Sequence, residues 1–467
     1  MTRAQAIAQA EGRFDDGTFF ADLARRVAIP STAQEPDKRP YLDAYLTDEI
    51  GPTVAAMGFD WKRHDNPDPG GGPFLVAQRI EDPALPTMLC YGHGDVVRGQ
   101  EEDWRDGLNP WHLTAEGDRW YGRGTADNKG QHSINLAALQ AVLAVRGRLG
   151  FNCKLLVEMS EEVGSLGLAE FASSNRDALA ADLLLASDGP RLQPEQPTLF
   201  LGTRGAFNFE LDVDLRPGAH HSGNWGGLIA NAGVRLSQAL ASLVGPRGEI
   251  LVPALKPAEI PAAVREALAG VTIDGGADAP EIDRGWGEPG LTPPERVFAW
   301  NSLEILSFTC GNPAKVVNAI PPSAHAWCQI RFTVDTDPAS FLPALRRHLD
   351  AAGFADVSVR SSGLLMQATR LSPDHPWARW ASDSVAHTLG RPPVVVPSLG
   401  GSLPNDVFAD ILDLPTVWVP HSYSGCSQHA ADEHALTPIL RQGLAMMAGL
   451  FWDLGSGDAA LPTTSER

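Results

Sequence analysis

The chain has 467 residues, enough for two or three domains, and its 43% hydrophobic and 20% charged content is that of a folded protein. A formal net charge of −20 excludes nucleic acid and anionic membrane as principal partners, because neutralising phosphates takes a basic surface. No apolar run reaches the roughly 18 residues that cross a bilayer, and MTRAQAIAQAEGRFDDG lacks the apolar core of a secretion signal, so a cytoplasmic protein is expected. The five cysteines (Cys90, Cys153, Cys310, Cys328, Cys426) are odd in number and never spaced CxxC, which predicts buried thiols and argues against both a disulfide framework and a cysteine zinc site.

Residues 1–203 alternate helical patterns with short apolar strands, TMLCYG, NCKLLVEM and ADLLLAS being the clearest. Such alternation predicts βαβ units and a mostly parallel sheet with flanking helices. PDPGGGP at 67–73 is a loop. In GRGTADNKGQH, either Asp127 or Asn128 is placed to cap the following helix, whose Ile134, Ala137, Ala138, Ala141, Val142 and Val145 share one face. From 204 the order becomes strand (AFNFELDVD), helix (NAGVRLSQALASL), strand (LEILSFTC), strand (AHAWCQIRFTVD), helix (PASFLPALRRHLDAAG) and strand (DVSVRSS). That βαββαβ order is the ferredoxin-like arrangement of an α+β domain. A Pro-, Gly- and Asp-rich section at 247–299 reads as an irregular insertion, and after 370 the α/β pattern returns with VVVPS and LPTVWVP. The predicted architecture is an α/β main domain in two parts, 1–203 and 370–467, interrupted by a ferredoxin-like domain at 204–369.

Polar residues fall in a pattern against these strands. YGHGDVV places His93 and Asp95 just past TMLCYG, MSEEVGS places Glu161 and Glu162 past KLLVEM, LASDGP places Asp188 past ADLLLA, and QHAADEH places His429 downstream of LPTVWVP. Open α/β sheets bind ligands at the carboxyl edge of their strands, so residues hundreds of positions apart can converge there. Singly, each has an ordinary reading as a loop histidine, a solvated acid or a turn aspartate. Jointly, two histidines and three carboxylates in five such loops form a ligand set for a pair of divalent metals. Their nitrogen and oxygen donors suit zinc, with cobalt or manganese as alternatives.

In order, GHGDVV, GRGTADNKG, SEEVGS, SDG and HAADE resemble the motifs of the zinc metallopeptidase family that includes acetylornithine deacetylase, succinyl-diaminopimelate desuccinylase, aminoacylase and carnosine dipeptidase. The resemblance implies that Asp127 bridges two zinc ions, one also held by His93 and Asp188, the other by Glu162 and His429. By the same resemblance Glu161 is the general base: it takes a proton from a metal-bridging water, making the hydroxide that attacks an amide carbonyl, and passes the proton to the leaving amine. Side-chain alternation in an extended segment would aim Glu161 and Glu162 apart. Asp95 would accept the other ring N–H of His93 and fix its orientation. Lys129 is read as solvated. In GAHHSGNWGG, His221 precedes Ser-Gly as in the carnosinase-like branch, where the equivalent histidine reaches into the partner's site and stabilises the oxyanion; His220 is the neighbouring alternative. The inserted domain would then be a lid and dimerisation domain, and the protein a homodimer.

Asn318 in VVNAIPP, Arg331 in IRF, Gly401 and Ser402 in GGSLPND and His375 in SPDHP are the candidate substrate contacts, with the planar fork of Arg331 suited to a carboxylate. His64, His112, His132, His325, His348, His387, His421 and His434 are read as structural, and the twelve tryptophans as mostly core. The expected activity is hydrolysis of dipeptides or short peptides, favoured by Asp188 as the fourth ligand and by the HSG context. The alternative is deacylation of N-acyl amino acids. A non-catalytic homologue would lack a ligand or the base, and none is missing; a phosphoesterase would want basic residues beside the metal loops, which here are acidic.

Overall fold

The computed structural model describes residues 1–273 and 280–457. Residues 274–279, within the predicted insertion, and 458–467, at the end of the second main-domain segment, lie outside the described residues. The chain begins with helix α1 (Arg3–Asp15), then strands β1 (Asp60–His64), β2 (Phe74–Arg79) and β3 (Thr87–His93), helix α2 (Lys129–Arg146), and strands β4 (Asn152–Glu158), β5 (Leu183–Ala186) and β6 (Thr198–Phe200). It continues through β7 (Gly205–Asp214), α3 (Ala232–Leu243), β8 (Ser302–Cys310), β9 (Ser323–Phe332), α4 (Phe341–Ala351) and β10 (Val357–Met366). It ends with α5 (Pro376–Leu389), β11 (Val394–Val396), β12 (Thr416–Trp418) and α6 (Thr437–Ser456).

Eight strands form the main sheet in the order β1-β2-β4-β3-β5-β12-β6-β11. Its centre, β4-β3-β5-β12, is parallel, as is β6-β11, whereas β1-β2, β2-β4 and β12-β6 are antiparallel. The predicted mostly parallel sheet is therefore parallel where the candidate residues lie and mixed at its flanks. The central strands are buried along nearly their whole length because both faces are covered, and successive apolar residues enter two different cores. Met88, Cys90, Leu155, Val157 and Val417 join the core under α1, α2 and α6, while Leu89, Tyr91, Leu156, Leu184 and Trp418 join the core on the other face. α2 is buried well beyond its predicted stripe, from Lys129 to Leu139 without a break, because α1 and α6 pack on the side away from the sheet.

The second sheet has the order β8-β9-β7-β10, all antiparallel. With α3 and α4 this is the predicted βαββαβ unit. Phe209, Leu211 and Val213 of β7 and Ala326, Cys328 and Ile330 of β9 point inward onto Leu236, Leu240, Phe341 and Leu345 of the two helices. The opposite face carries Glu210, Asp212 and His325.

The 247–299 section is more ordered than its composition predicts. It holds helices Ala262–Leu268 and Pro293–Phe298, the latter started by a Thr292/Glu295 capping box. Ile250, Val252 and Leu255 at its start join the core of the smaller unit, whereas Ile260, Val264, Leu268 and Phe298 bury against the main sheet's second core, so the later part of the section packs on the larger unit. Four cysteines are buried, Cys310 is half-buried, and all five are free. No helix among the described residues is long and apolar enough to cross a membrane.

Candidate active site

Because β4, β3, β5 and β12 run parallel, their carboxyl ends share one edge, and the loops leaving that edge carry the candidate ligands. His93 is the last residue of β3, Glu161 and Glu162 follow β4, Asp188 follows β5, and Asp127 precedes α2. His93 Nε2 lies 3.0 Å from Asp127 Oδ1 and 3.4 Å from Asp188 Oδ2. His429 Nε2 lies 3.1 Å from Asp127 Oδ2 and 3.0 Å from Glu162 Oε2. Asp127 thus offers one oxygen to each of two groups, His93/Asp127/Asp188 and Asp127/Glu162/His429, and within each group the ligand atoms lie within 4.8 Å of one another.

The acid side of this cluster is underfilled. Glu162 Oε1 is buried with no hydrogen-bond partner, and Asp188 Oδ2 has no hydrogen bond, only the 3.4 Å approach of His93. Leaving buried carboxylate oxygens without partners is costly, so the donor set fits divalent cations. Proton affinities in the metal-free chain say the same. His429 is raised to about 10 by its hydrogen bonds with Asp127 and Glu162. Burial disfavours charge on His93, but the nearby carboxylates of Asp127, Asp188 and Asp95 outweigh it and hold His93 well above its usual range. Burial pushes Glu162 up to about 7 and raises Asp188.

Glu161 lines the cavity beside this cluster, 3.9 Å from His93 Nε2. Burial holds its carboxyl well above the ordinary range. Glu161 and Glu162 are not in an extended segment, as the alternation argument assumed, but in a 3₁₀ helix, Glu161–Val163. At about three residues per turn, neighbours are still aimed well apart. Asp95 does more than expected. His93 Nδ1 lies closer to its backbone oxygen (3.1 Å) than to its carboxylate (3.5 Å), and the carboxylate accepts the backbone N–H groups of Glu161 and Glu162 at 3.2 and 3.1 Å. One aspartate therefore positions both the histidine and the two glutamates.

Capping is not what Asp127 and Asn128 do: Asn128 makes no side-chain cap, and Asp127 points to the histidines. Lys129 corrects a second expectation. It is fully buried, donates to the carbonyls of Arg26 (3.0 Å) and Ile29 (2.6 Å), and burial lowers it to about 7. Sequence reasoning also missed Glu433. One of its oxygens accepts from Arg123 Nη1 (2.7 Å) and Gly124 N (3.0 Å), the other from Ala126 N (2.9 Å) and Asp127 N (3.1 Å). Glu433 lies four residues after His429, inside the motif already singled out, so the signal was present.

The cavity at the cluster measures about 430 Å³ and is lined by Asp127, Glu161, Asp188 and His429 together with Gly401 and Ser402. Arg331 reaches it indirectly, donating to Ser402 Oγ at 2.7 Å. His221 and Asn318 come together elsewhere, on the smaller unit. His220–His221 pairs with Ala319–Ile320, and the Asn318 carbonyl accepts from Ser222 N. His221 is exposed and its Nδ1 accepts from Gly223 N at 3.1 Å. His375 does not join the cavity; it caps α5, accepting from Trp377 N at 3.2 Å, because the chain re-enters the main unit away from the metal-binding edge. His132 and His434 are structural as expected, bonded to Tyr45 and Tyr423.

Two histidines and three acids gathered in two ligand-like groups, with Glu161 beside them at the ligand edge of an α/β sheet, are the arrangement of a metal-dependent hydrolase. Residues 89–453 match the model of Peptidase family M20/M25/M40. The chain is 36% identical over 186 residues to a mouse Beta-Ala-His dipeptidase, spanning 39% of this chain and 37% of that one. It is 26% identical over 407 residues to the rat Beta-Ala-His dipeptidase, covering 82% and 80%. Its fold matches the di-peptidase Dug1p of Saccharomyces cerevisiae with a TM-score of 0.81 at 22% identity, over 98% of this chain and 100% of that one. The protein belongs to Peptidase family M20/M25/M40 and is a metallopeptidase.

Proposed function

We propose that the protein is a dipeptidase that works with two divalent metal ions per chain. The observation that carries this reading is Asp127 offering one oxygen to each of two ligand groups, with Glu161 beside them. His93, Asp127 and Asp188 would hold one ion, and Asp127, Glu162 and His429 the other, with zinc suited to these donors and cobalt or manganese compatible. When bound, the ions supply Lewis-acid polarisation of the scissile carbonyl and balance its developing negative charge. Glu161 takes a proton from the attacking water as its oxygen bonds to the carbonyl carbon, and returns that proton to the departing amine as the C–N bond breaks. Arg331, through Ser402, and the backbone at Gly401 orient the free carboxylate of the peptide. The names of the mouse and rat relatives, both dipeptidases, support a dipeptide substrate.

The reading extends to a homodimer formed through the unit at 204–369, which acts as a lid over the site held by 1–203 and 370–467. Support comes from β8, an edge strand whose Ile305, Leu306 and Phe308 are exposed, and from exposed Trp225 and Leu228 near His221. His221 then serves the partner's site as an oxyanion donor. A cytoplasmic location fits the five free thiols.

The test is amino-acid release from free-amino dipeptides and their N-acetylated counterparts, with and without a chelator. Metal-dependent release from dipeptides alone is expected; release from the acetylated set alone would make the protein a deacylase. In the same assay His221→Ala is expected to lose most turnover while keeping its metal, and sedimentation should show a dimer.

A further inference from the structure

The cavity is chemically lopsided. Beside the acids and His429, its wall is built from Leu192, Phe200, Ile273, Val297, Phe298 and Leu403. A chain of close contacts ties this wall to the metal ligands. Asp188 is followed by Gly189, where a Cβ would come within 3.1 Å of Leu399 Cδ2, and after Leu399 comes Gly400, where a Cβ would come within 2.7 Å of Val297 Cγ1. The apolar wall therefore starts directly beside a metal ligand and continues into the main sheet's second core, which contains Phe200 and Phe298. The one arginine in the lining, Arg191, is engaged elsewhere, by the carbonyls of Pro420 and Pro194, by Gln442 Oε1 and by Met446 Sδ. It is not positioned to receive an anionic side chain.

We infer that this cavity binds one side chain of the substrate, next to the scissile bond, and that the protein prefers dipeptides whose residue at that position is bulky and apolar. Ile273, Val297 and Phe298 come from the 247–299 section, so this section sets specificity. The inference rests on the peptidase reading above and names its substrate class. Burying an apolar side chain against such a wall favours it over alanine, whereas an acidic one loses its hydration against the apolar residues of the wall.

The test is kcat/KM of the metal-loaded protein for Ala–Ala, Leu–Ala, Ala–Leu, Asp–Ala and Ala–Asp. One of the two leucine peptides is expected to exceed Ala–Ala by about tenfold or more, the range a larger apolar group gives in a fitted pocket. The aspartate peptide of the same position should fall below Ala–Ala. Leucine at neither position outperforming alanine would overturn the inference while leaving the peptidase reading intact; no release from any peptide would remove the peptidase reading and the inference with it. Val297→Asp provides a second check through the ratio of leucine to alanine peptide measured on one preparation, in which the amount of folded protein cancels. The ratio should fall to near unity, and an unchanged ratio contradicts the role given to this wall.

Discussion

His93, Asp127 and Asp188 at the edge of the main sheet, and Glu210, Asp212 and His325 on the face of the second sheet, are the same residue types gathered to the same closeness. They differ in what surrounds them. In the second group every acid oxygen is answered. Arg360 forks onto both oxygens of Glu210 and also donates to Asp212 Oδ2, while His325 Nδ1 sits 2.6 Å from Asp212 Oδ1. These are cross-strand neighbours, Asp212 opposite His325 and Glu210 opposite Arg360, so strand register pairs each acid with its own counter-charge. At the main edge the residues arrive from separate loops, and Glu162 Oε1 is left bare. Ligand-type residues alone do not make a metal site; a deficit of cations does.

Asp127→Ala should break this comparison most severely, removing both bound metal and measurable turnover, whereas His325→Ala should leave kcat/KM within about twofold, as expected for a site outside the chemistry. Metal analysis and kinetics on the two variants check this. Next in size, Glu161→Gln should lower kcat by about 10²–10⁴-fold, the usual contribution of a general base, with metal content unchanged. A parallel loss of metal would mean that Glu161 is a ligand instead.

Glu433→Gln should weaken metal affinity by about 10- to 100-fold, as second-layer partners of ligands do, since Glu433 holds the backbone at Asp127. Competition with a chromogenic chelator measures it. Metal uptake should also release protons. His429 must lose the proton it holds up to about 10 in the metal-free chain, and Glu162 one held up to about 7. A ligand whose proton must leave binds metal better as pH rises, so affinity should climb through that window and level off above it. Calorimetry in buffers of different ionisation enthalpy counts the protons. The smallest effect is expected from Arg360→Ala, which leaves buried Glu210 with only the 3.7 Å approach of His325 Nε2: a stability loss of about 1–3 kcal/mol in denaturant titration, without loss of activity.

The ligand set was legible because His93, Glu162 and Asp188 sit at or just beyond strand signals and Asp127 just before a helix signal, and a parallel sheet brings such positions to one edge. The βαββαβ unit was readable from its alternating strands. What stayed hidden depended on contacts between distant segments. Lys129 looks solvated beside Asn128 and Gly130, and only the backbone of Arg26 and Ile29, a hundred residues upstream, buries it. His375 looked like a substrate contact because it lies near the re-entry into the main unit, but there it caps α5. The composition of 247–299 suggested irregularity, and Ile260, Val264, Leu268 and Phe298 were too scattered within it to announce that they pack on the main sheet.

The most direct test of the account is to strip the protein of metal, add zinc back in measured equivalents, and follow both bound ions per chain by native mass spectrometry and alanine release from Ala–Ala. The account predicts that activity returns as the second ion per chain is taken up. Full turnover with no metal, or two ions bound with no peptide cleaved, would contradict it.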